Sequence, residues 1–261
     1  MSTRVDLHNH TPLCNHANGT MEEYVLKAIE KGIDVFGFSD HAPMNYDKKY
    51  RMSFAQKSEY EKDVLFLKEK YSQQIEILLA YEVDYLDNYI SDVILKSQVD
   101  YLIGSVHFIN EWGFDNPEFI GLYKNKNIDT IWEEYFDAIR KLAKSNLFDV
   151  VGHMDLIKVF NFLPNKDIKS IVSPALKEIK KSNMCLEINP AGLRKPVKEQ
   201  YPSMDILELA YELDIPITFG SDAHEVEQIG FKYDEVSTLA KEIGYTKCAT
   251  FRNRERSLVL I

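Results

Sequence analysis

All seven histidines of this 261-residue chain, His8, His10, His16, His41, His107, His153 and His224, fall beside the end of a predicted strand. None is left over for the rest of the surface. Neutral imidazole is the commonest protein ligand for zinc-like ions, and it binds without adding charge. Bringing that many rings together costs desolvation and packing energy unless cations hold them. The pattern therefore calls for a fold that carries strand ends from distant parts of the chain to one face, around a polynuclear metal site.

Strand-like and helix-like stretches alternate along the chain. Strand signals cover residues 4–7, 35–39, 76–80, 101–106, 150–152, 184–188 and 217–220, mostly short apolar runs that suit parallel strands covered on both faces. A final signal at 247–251 completes the order. Thr20-x-x-Glu23 is a capping-box signature, and Gly32 stops the helix that follows. Further helices are predicted from Ser53-x-x-Gln56 to Tyr71, over 130–144, from Ser173–Pro174 as N-cap and first turn, from Ser203, and over 234–243. Seven or eight strand–helix units without a linker, at a length of 261 residues, predict one domain over 1–261: an α/β fold, a distorted (β/α)7–8 TIM-like barrel. The longest irregular stretches, 42–52, 109–127 and 189–202, each follow a strand, where such a barrel keeps its specificity loops.

A formal charge of −10 argues against a nucleic-acid surface. No apolar run is long enough to span a bilayer, and the opening MSTRVDLHNH enters a strand with no secretory leader. The three cysteines, Cys14, Cys185 and Cys248, are odd in number and far apart, which reads as free thiols in a reducing cytoplasm. Nothing in the sequence fixes an oligomeric state.

The chemistry sits at the strand ends. The first strand ends in Asp6-Leu7-His8-Asn9-His10, and residues two apart on an extended segment point the same way, so His8 and His10 can chelate one ion. Asp222-Ala223-His224 repeats that spacing after the seventh strand. Ser39-Asp40-His41, Tyr81-Glu82-Val83-Asp84, Gly104-Ser105-Val106-His107 and Gly152-His153-Met154-Asp155 supply the other strand ends. In a barrel these all lie on the C-terminal face, where barrel enzymes place their catalysis.

The strings HNH at 8–10, SDHAP at 39–43, GSVH at 104–107, GHMD at 152–155 and SDAH at 221–224 resemble the polymerase and histidinol phosphatase (PHP) family. HTPLCNHANGT at 10–20, GSVHFINEWGFD at 104–115, EINPAGLRKP at 187–196 and YPS at 201–203 resemble its histidinol-phosphatase branch. The resemblance implies three divalent ions. One would be held by His8, His10, Glu82 and Asp222; a second by the shared Glu82 with His107 and His153; the third by His16, His41 and His224. Zinc, manganese and iron all suit such donors. Three divalent ions against two carboxylates leave about +4 before hydroxide binds, a pocket for phosphate.

Around this set, Cys14 reads as a packed loop thiol, with a soft ligand as the alternative. Asp40 and Asp155 either orient ligand histidines or cap the turns that follow. Arg194 and Lys158 are the candidates for holding phosphate oxygens, while Lys195 is expected outside. Trp112, Phe114 and Asp115 could meet an amine or imidazole, or pack their own loop. The resemblance implies hydrolysis of L-histidinol phosphate to L-histidinol and phosphate in histidine biosynthesis. Hydroxide made available by the metals would attack phosphorus, with Glu82 and Asp222 acting through the ions. The alternatives are another phosphoesterase of this family, acting on nucleotides, nucleic-acid ends or phosphotyrosine, and a non-catalytic metal-binding protein.

Overall fold

The structure, a computed structural model, describes residues 2–261. Its strands, in chain order, are β1 (Val5–Asp6), β2 (Val35–Phe38), β3 (Glu76–Asp84), β4 (Tyr101–Ser105), β5 (Phe108–Ile109) and β6 (Trp112–Gly113). They continue with β7 (Val150–Val151), β8 (Cys185–Ile188), β9 (Ile217–Phe219), β10 (Lys247–Arg252) and β11 (Glu255–Leu260). The helices are α1 (Met21–Glu30), α2 (Lys57–Lys70), α3 (Asp92–Leu95), α4 (Ile128–Lys144), α5 (Ile168–Lys181), α6 (Met204–Glu212) and α7 (Tyr233–Ile243).

Seven strands form one parallel sheet in the order β1-β2-β3-β4-β7-β8-β9. The ring closes where Leu7 N–H donates to Phe219 O at 2.8 Å and Asp222 N–H donates to His8 O at 2.7 Å. A parallel bridge between Asn9 and Ala223 continues that seam. The barrel is thus seven-stranded, and the last strand signal belongs elsewhere. β10 pairs with β11 as an antiparallel hairpin, a partner strand the sequence reading did not foresee. That hairpin plugs the N-terminal mouth: Cys248, Ala249 and Phe251 pack against Leu78, Tyr101, Ile217 and Phe219. Thr218 Oγ1 donates to Ala249 O at 2.9 Å, tying the plug to β9.

The helices form where amphipathic faces can cover this ring. The Thr20–Glu23 capping box is present in full at α1. α4 buries Ile131, Trp132, Tyr135, Phe136, Ile139 and Leu142 along one face, with Asn127 accepting from the free N–H groups of Asp129 and Thr130. α5 begins six residues earlier than Ser173–Pro174 suggested. Asp167 captures the Lys169 and Ser170 N–H groups, so Pro174 lies inside the helix. Its buried face, Val172, Ala175, Leu176 and Ile179, outweighs an interior proline's cost of about 3 kcal/mol. Inside the ring, Tyr101 crosses the barrel to donate to Leu7 O at 2.5 Å. Only glycine at position 37 leaves it room, since a Cβ there would lie 1.8 Å from the Tyr101 hydroxyl. No described helix is long and apolar enough to cross a membrane.

Candidate metal centre

The C-terminal mouth gathers every histidine of the chain. β1 runs into His8 and His10, both fully buried. His41 follows β2 and forms a parallel bridge with Glu82 of β3. His107 follows β4, His153 follows β7, and Asp222 and His224 follow β9. His16 sits at the end of a loop whose 3-10 turn is capped by Thr11, and its Nδ1 lies 2.8 Å from Cys14 O. Donor atoms converge in the sets His8–His10–Glu82, Glu82–His107–His153 and His16–His41–His224, each within 4.8 Å of one another. Asp222 Oδ1 stands 3.1 Å from His10 Nε2 at the edge of the first set. Ring centroids of His10 and His224 are 4.0 Å apart, and those of His107 and His153 are 5.0 Å apart.

Glu82 is the hub. Its Oε1 lies 2.9 Å from His153 Nε2 and 3.7 Å from His107 Nε2. Its Oε2 faces His41 Nδ1 at 2.8 Å, His8 Nε2 at 3.5 Å and His10 Nε2 at 3.8 Å. Yet Glu82 Oε2, His8 Nε2 and His41 Nδ1 are buried without an aligned hydrogen-bond partner, as are His153 Nδ1 and His224 Nε2. Orphaned buried polar atoms are rare and costly, about 1–3 kcal/mol each. A cluster of lone pairs facing one another is what a cation would satisfy, so these residues fit divalent metal ions.

The electrostatics divide the site. For His10 and His107 burial opposes charge, but the carboxylates win: Asp222 and Asp40 raise His10 to about 9, and Asp84 and Glu82 raise His107 to about 10. Burial dominates at His41, which falls to about 4, and it also lowers His16 and His224. Burial works against the Glu82 and Asp222 carboxylates, but the surrounding imidazoles hold both well below the usual carboxylate range.

Several supporting residues escaped the sequence reading. Asp84 accepts from His107 Nδ1 at 2.6 Å and from Arg51 Nη1 at 2.8 Å. It lies two residues beyond Glu82 on the same strand, hence on the same side, which is a signal the sequence does carry. Arg51, from the loop after β2, had no such signal. Glu187 on β8 approaches His8 Nδ1 at 2.7 Å and accepts from His153 N–H at 2.7 Å. An acidic residue inside the apolar run CLEI was its clue. Asp40 meets a candidate ligand: its Oδ1 stands 3.3 Å from His10 Nδ1, and it also accepts from His41 N–H. Asp155 orients none; it accepts from Ser203 N–H at 2.9 Å and pairs with Lys158 at 2.8 Å. Cys14 is buried beside His10 and His224, and burial and the Asp40 charge push its thiol up.

A cavity of about 570 Å³ opens onto these groups. Arg194 is on its wall, anchored by Nη2 to the Ser221 and Asp222 carbonyls at 3.0 and 2.9 Å. Its Nη1 is buried without a partner, as is the hydroxyl of Tyr201 on the same wall. Lys158 corrects the sequence reading. Its ammonium is buried and bound to Asp155, Glu199 Oε2 at 2.6 Å and Gln200 O at 2.8 Å, so no donor is free for phosphate. Lys195, expected outside, lines the cavity instead. Of Trp112, Phe114 and Asp115 only Asp115 lines it. Trp112 packs on Tyr123 at 4.8 Å, and Phe114 is fully buried against Tyr135. Phe108 and Phe119 supply the apolar wall that the sequence did not single out.

Comparison with known proteins gives the same direction. The PHP domain description matches residues 6–191, and the PHP-associated description matches 204–242. A Deinococcus radiodurans protein named "Probable histidinol-phosphatase" is 35% identical over 260 residues, covering 98% of this chain and 99% of that one. The Bacillus subtilis protein named histidinol-phosphatase is 30% identical over 258 residues, covering 88% and 96%. The crystal structure of a histidinol phosphate phosphatase from Lactococcus lactis, complexed with zinc, L-histidinol and phosphate, superposes with a TM-score of 0.81 at 21% identity. It covers 98% of this chain and 99% of that one, and it bears on the fold.

Proposed function

This chain belongs to the PHP domain family, and from that membership we propose that it is a metal-dependent phosphomonoesterase that hydrolyses L-histidinol phosphate to L-histidinol and phosphate. The observation that carries the reading is Glu82, a buried carboxylate with an unpartnered oxygen facing three imidazole nitrogens at the floor of a cavity. The names of the relatives support the substrate, and so does the zinc, L-histidinol and phosphate held by the Lactococcus lactis protein. We read residues 1–261 as one domain, because β9, in the second matched segment, pairs with β8 and closes the ring on β1. Buried unpaired thiols at Cys14, Cys185 and Cys248 support a reducing, cytoplasmic setting.

Three ions are our reading of the donor sets. His8, His10, Glu82 and Asp222 would hold one, Glu82, His107 and His153 a second, and His16, His41 and His224 a third. When bound, such ions supply a nucleophilic water near neutral pH and offset the charge that spreads over the phosphoryl oxygens. The protein does the rest. Arg194 presents an unpaired Nη1 beside the metal ligand Asp222, placed to take a phosphoryl oxygen and fix the ester in the cavity. Asp115 offers a carboxylate on the wall for the cationic end of the substrate, and Phe108 and Phe119 exclude water around it. The test is elemental analysis of the purified protein together with phosphate release from L-histidinol phosphate, a nucleoside monophosphate, a short oligonucleotide and phosphotyrosine. Bound divalent metal with release from L-histidinol phosphate foremost is expected; preference for another ester overturns the substrate.

A further inference from the structure

Six of the seven barrel strands end in a residue of the proposed metal sets: β1, β2, β3, β4, β7 and β9. β8 does not. Yet β8 places Glu187 inside the ring with about 1% of its surface exposed. A buried carboxylate is expensive unless its charge is matched, and no lysine or arginine pairs with this one among the described residues. Every contact it makes is to the metal-site residues or to its own neighbour. Oε1 meets His8 Nδ1 at 2.7 Å, while Oε2 accepts from His153 N–H at 2.7 Å and from Asn189 Nδ2 at 3.1 Å.

We propose that Glu187, seconded by Asn189, is the positioning residue that sets the His8 tautomer and couples the His8–His10–Glu82 group to the Glu82–His107–His153 group. The inference rests on the metal-dependent reading above. A carboxylate only accepts, so in neutral His8 the proton sits on Nδ1 and the Nε2 lone pair is turned towards Glu82. His153 has a φ of 21°, a strained conformation for a residue with a Cβ, and the bond from its N–H to Glu187 helps hold it there. Asn189 extends the support to Asp222. Its Oδ1 accepts from Ala191 N–H at 2.8 Å, which leaves the NH2 facing Glu187 Oε2 and Asp222 Oδ2, the latter at 3.3 Å. The fit is close: a Cβ on Gly220 would lie 2.2 Å from Glu187 Oε1 and 2.4 Å from His8 Cβ.

The test is Glu187→Gln. An amide has one accepting oxygen. If that oxygen keeps the His153 N–H, the NH2 donates to His8 Nδ1 and drives the imidazole proton onto Nε2, where it blocks ligation. Titration with cobalt(II), followed by visible absorption and elemental analysis, is expected to show the Glu82-sharing sites weakened about 10- to 100-fold. The His16–His41–His224 site should keep its affinity, and kcat should fall with KM unchanged and recover in part with excess metal. Unchanged cobalt affinity at every site, with only a lower melting temperature, overturns the proposal. Should the variant not fold, ¹⁵N spectra of the zinc-loaded wild type decide: a proton on His8 Nδ1 is expected, and a bare Nδ1 overturns the proposal. Cobalt affinity is read without substrate, so failure to release phosphate from L-histidinol phosphate would overturn the substrate alone.

Discussion

The two mouths of the barrel are built from the same seven strands, yet their polar groups are treated in opposite ways. At the N-terminal mouth the β10–β11 hairpin closes an apolar cluster, and most polar groups it meets are paired, as with Thr218 and Ala249 O or Arg254 N–H and Asp100 O at 2.8 Å, although Thr250 Oγ1 on β10 is buried without a partner. At the C-terminal mouth His8, His41, Glu82, His153, Arg194, Tyr201 and His224 each leave a buried polar atom without a partner. One mouth satisfies most of its groups internally and serves stability. The other keeps them free for ligands that the chain does not itself provide, and a fold can tolerate that only where function repays it.

The largest expected contrast comes from Glu82→Gln. Removing the hub's charge should abolish metal retention at the two sites that share it and lower kcat/KM about a thousandfold or more, the upper scale for loss of a preorganised charge-stabilising group. The far-ultraviolet circular dichroism should be unchanged, because the ring's hydrogen bonds lie elsewhere. Normal turnover in that variant would break the assignment of Glu82 as hub. Phe251→Ala should do the reverse. Its side chain is buried in the plug and its ring centroid is 5.6 Å from that of Tyr101. Urea denaturation should show a loss of about 3–5 kcal/mol, with kcat per folded molecule within about twofold of wild type. A matching collapse of kcat would mean that the two mouths are mechanically coupled.

What the sequence made legible follows the same division. The candidate ligand residues that converge at this mouth could be picked out because their chemistry is local: the i, i+2 spacings of His8/His10 and Asp222/His224, and polar residues terminating apolar strands. The supporting residues were harder because their role depends on where the loops go. Arg51 reaches Asp84 across 33 positions of sequence, and nothing in its neighbourhood foretells that contact. Lys158 misled for a related reason: proximity to His153 in sequence said nothing about Asp155 and Glu199, which claim its ammonium. The plug was half visible, since 247–251 read as a strand. β11 opens on the polar Glu255-Arg256-Ser257 and is mostly exposed, which masks the short apolar run Leu258-Val259-Leu260 that ends it.

Arg194→Ala sharpens the comparison within the C-terminal mouth. Loss of a charge-assisted donor to phosphate corresponds to about 1.5–3 kcal/mol, or roughly 10- to 150-fold in KM. Metal content should not change, because the guanidinium touches the site only through the Ser221 and Asp222 backbone carbonyls. Inorganic phosphate should weaken as an inhibitor by the same factor. An unchanged KM removes Arg194 from the phosphate pocket.

The smallest effect concerns protons. Ligation needs neutral imidazole, so metal uptake must expel any proton a histidine carries. His10, raised to about 9, and His107, raised to about 10, carry theirs at pH 7 when only protein groups surround them. His41, held at about 4 chiefly by burial, carries none. A raised pKa means that the proton competes below it. The ions of the Glu82-sharing sets should therefore gain affinity as pH climbs from 7 towards 9 or 10 and lose it as pH falls. The ion of the His16–His41–His224 set should depend on pH much less around neutrality, because burial lowers all three of its imidazoles. Calorimetric metal titrations at pH 7, in buffers of differing ionisation enthalpy, read this directly as proton release during the phases that fill the Glu82-sharing sets and none in the other. Equal release in every phase would mean that the carboxylates do not divide the mouth into a charged half and a neutral one.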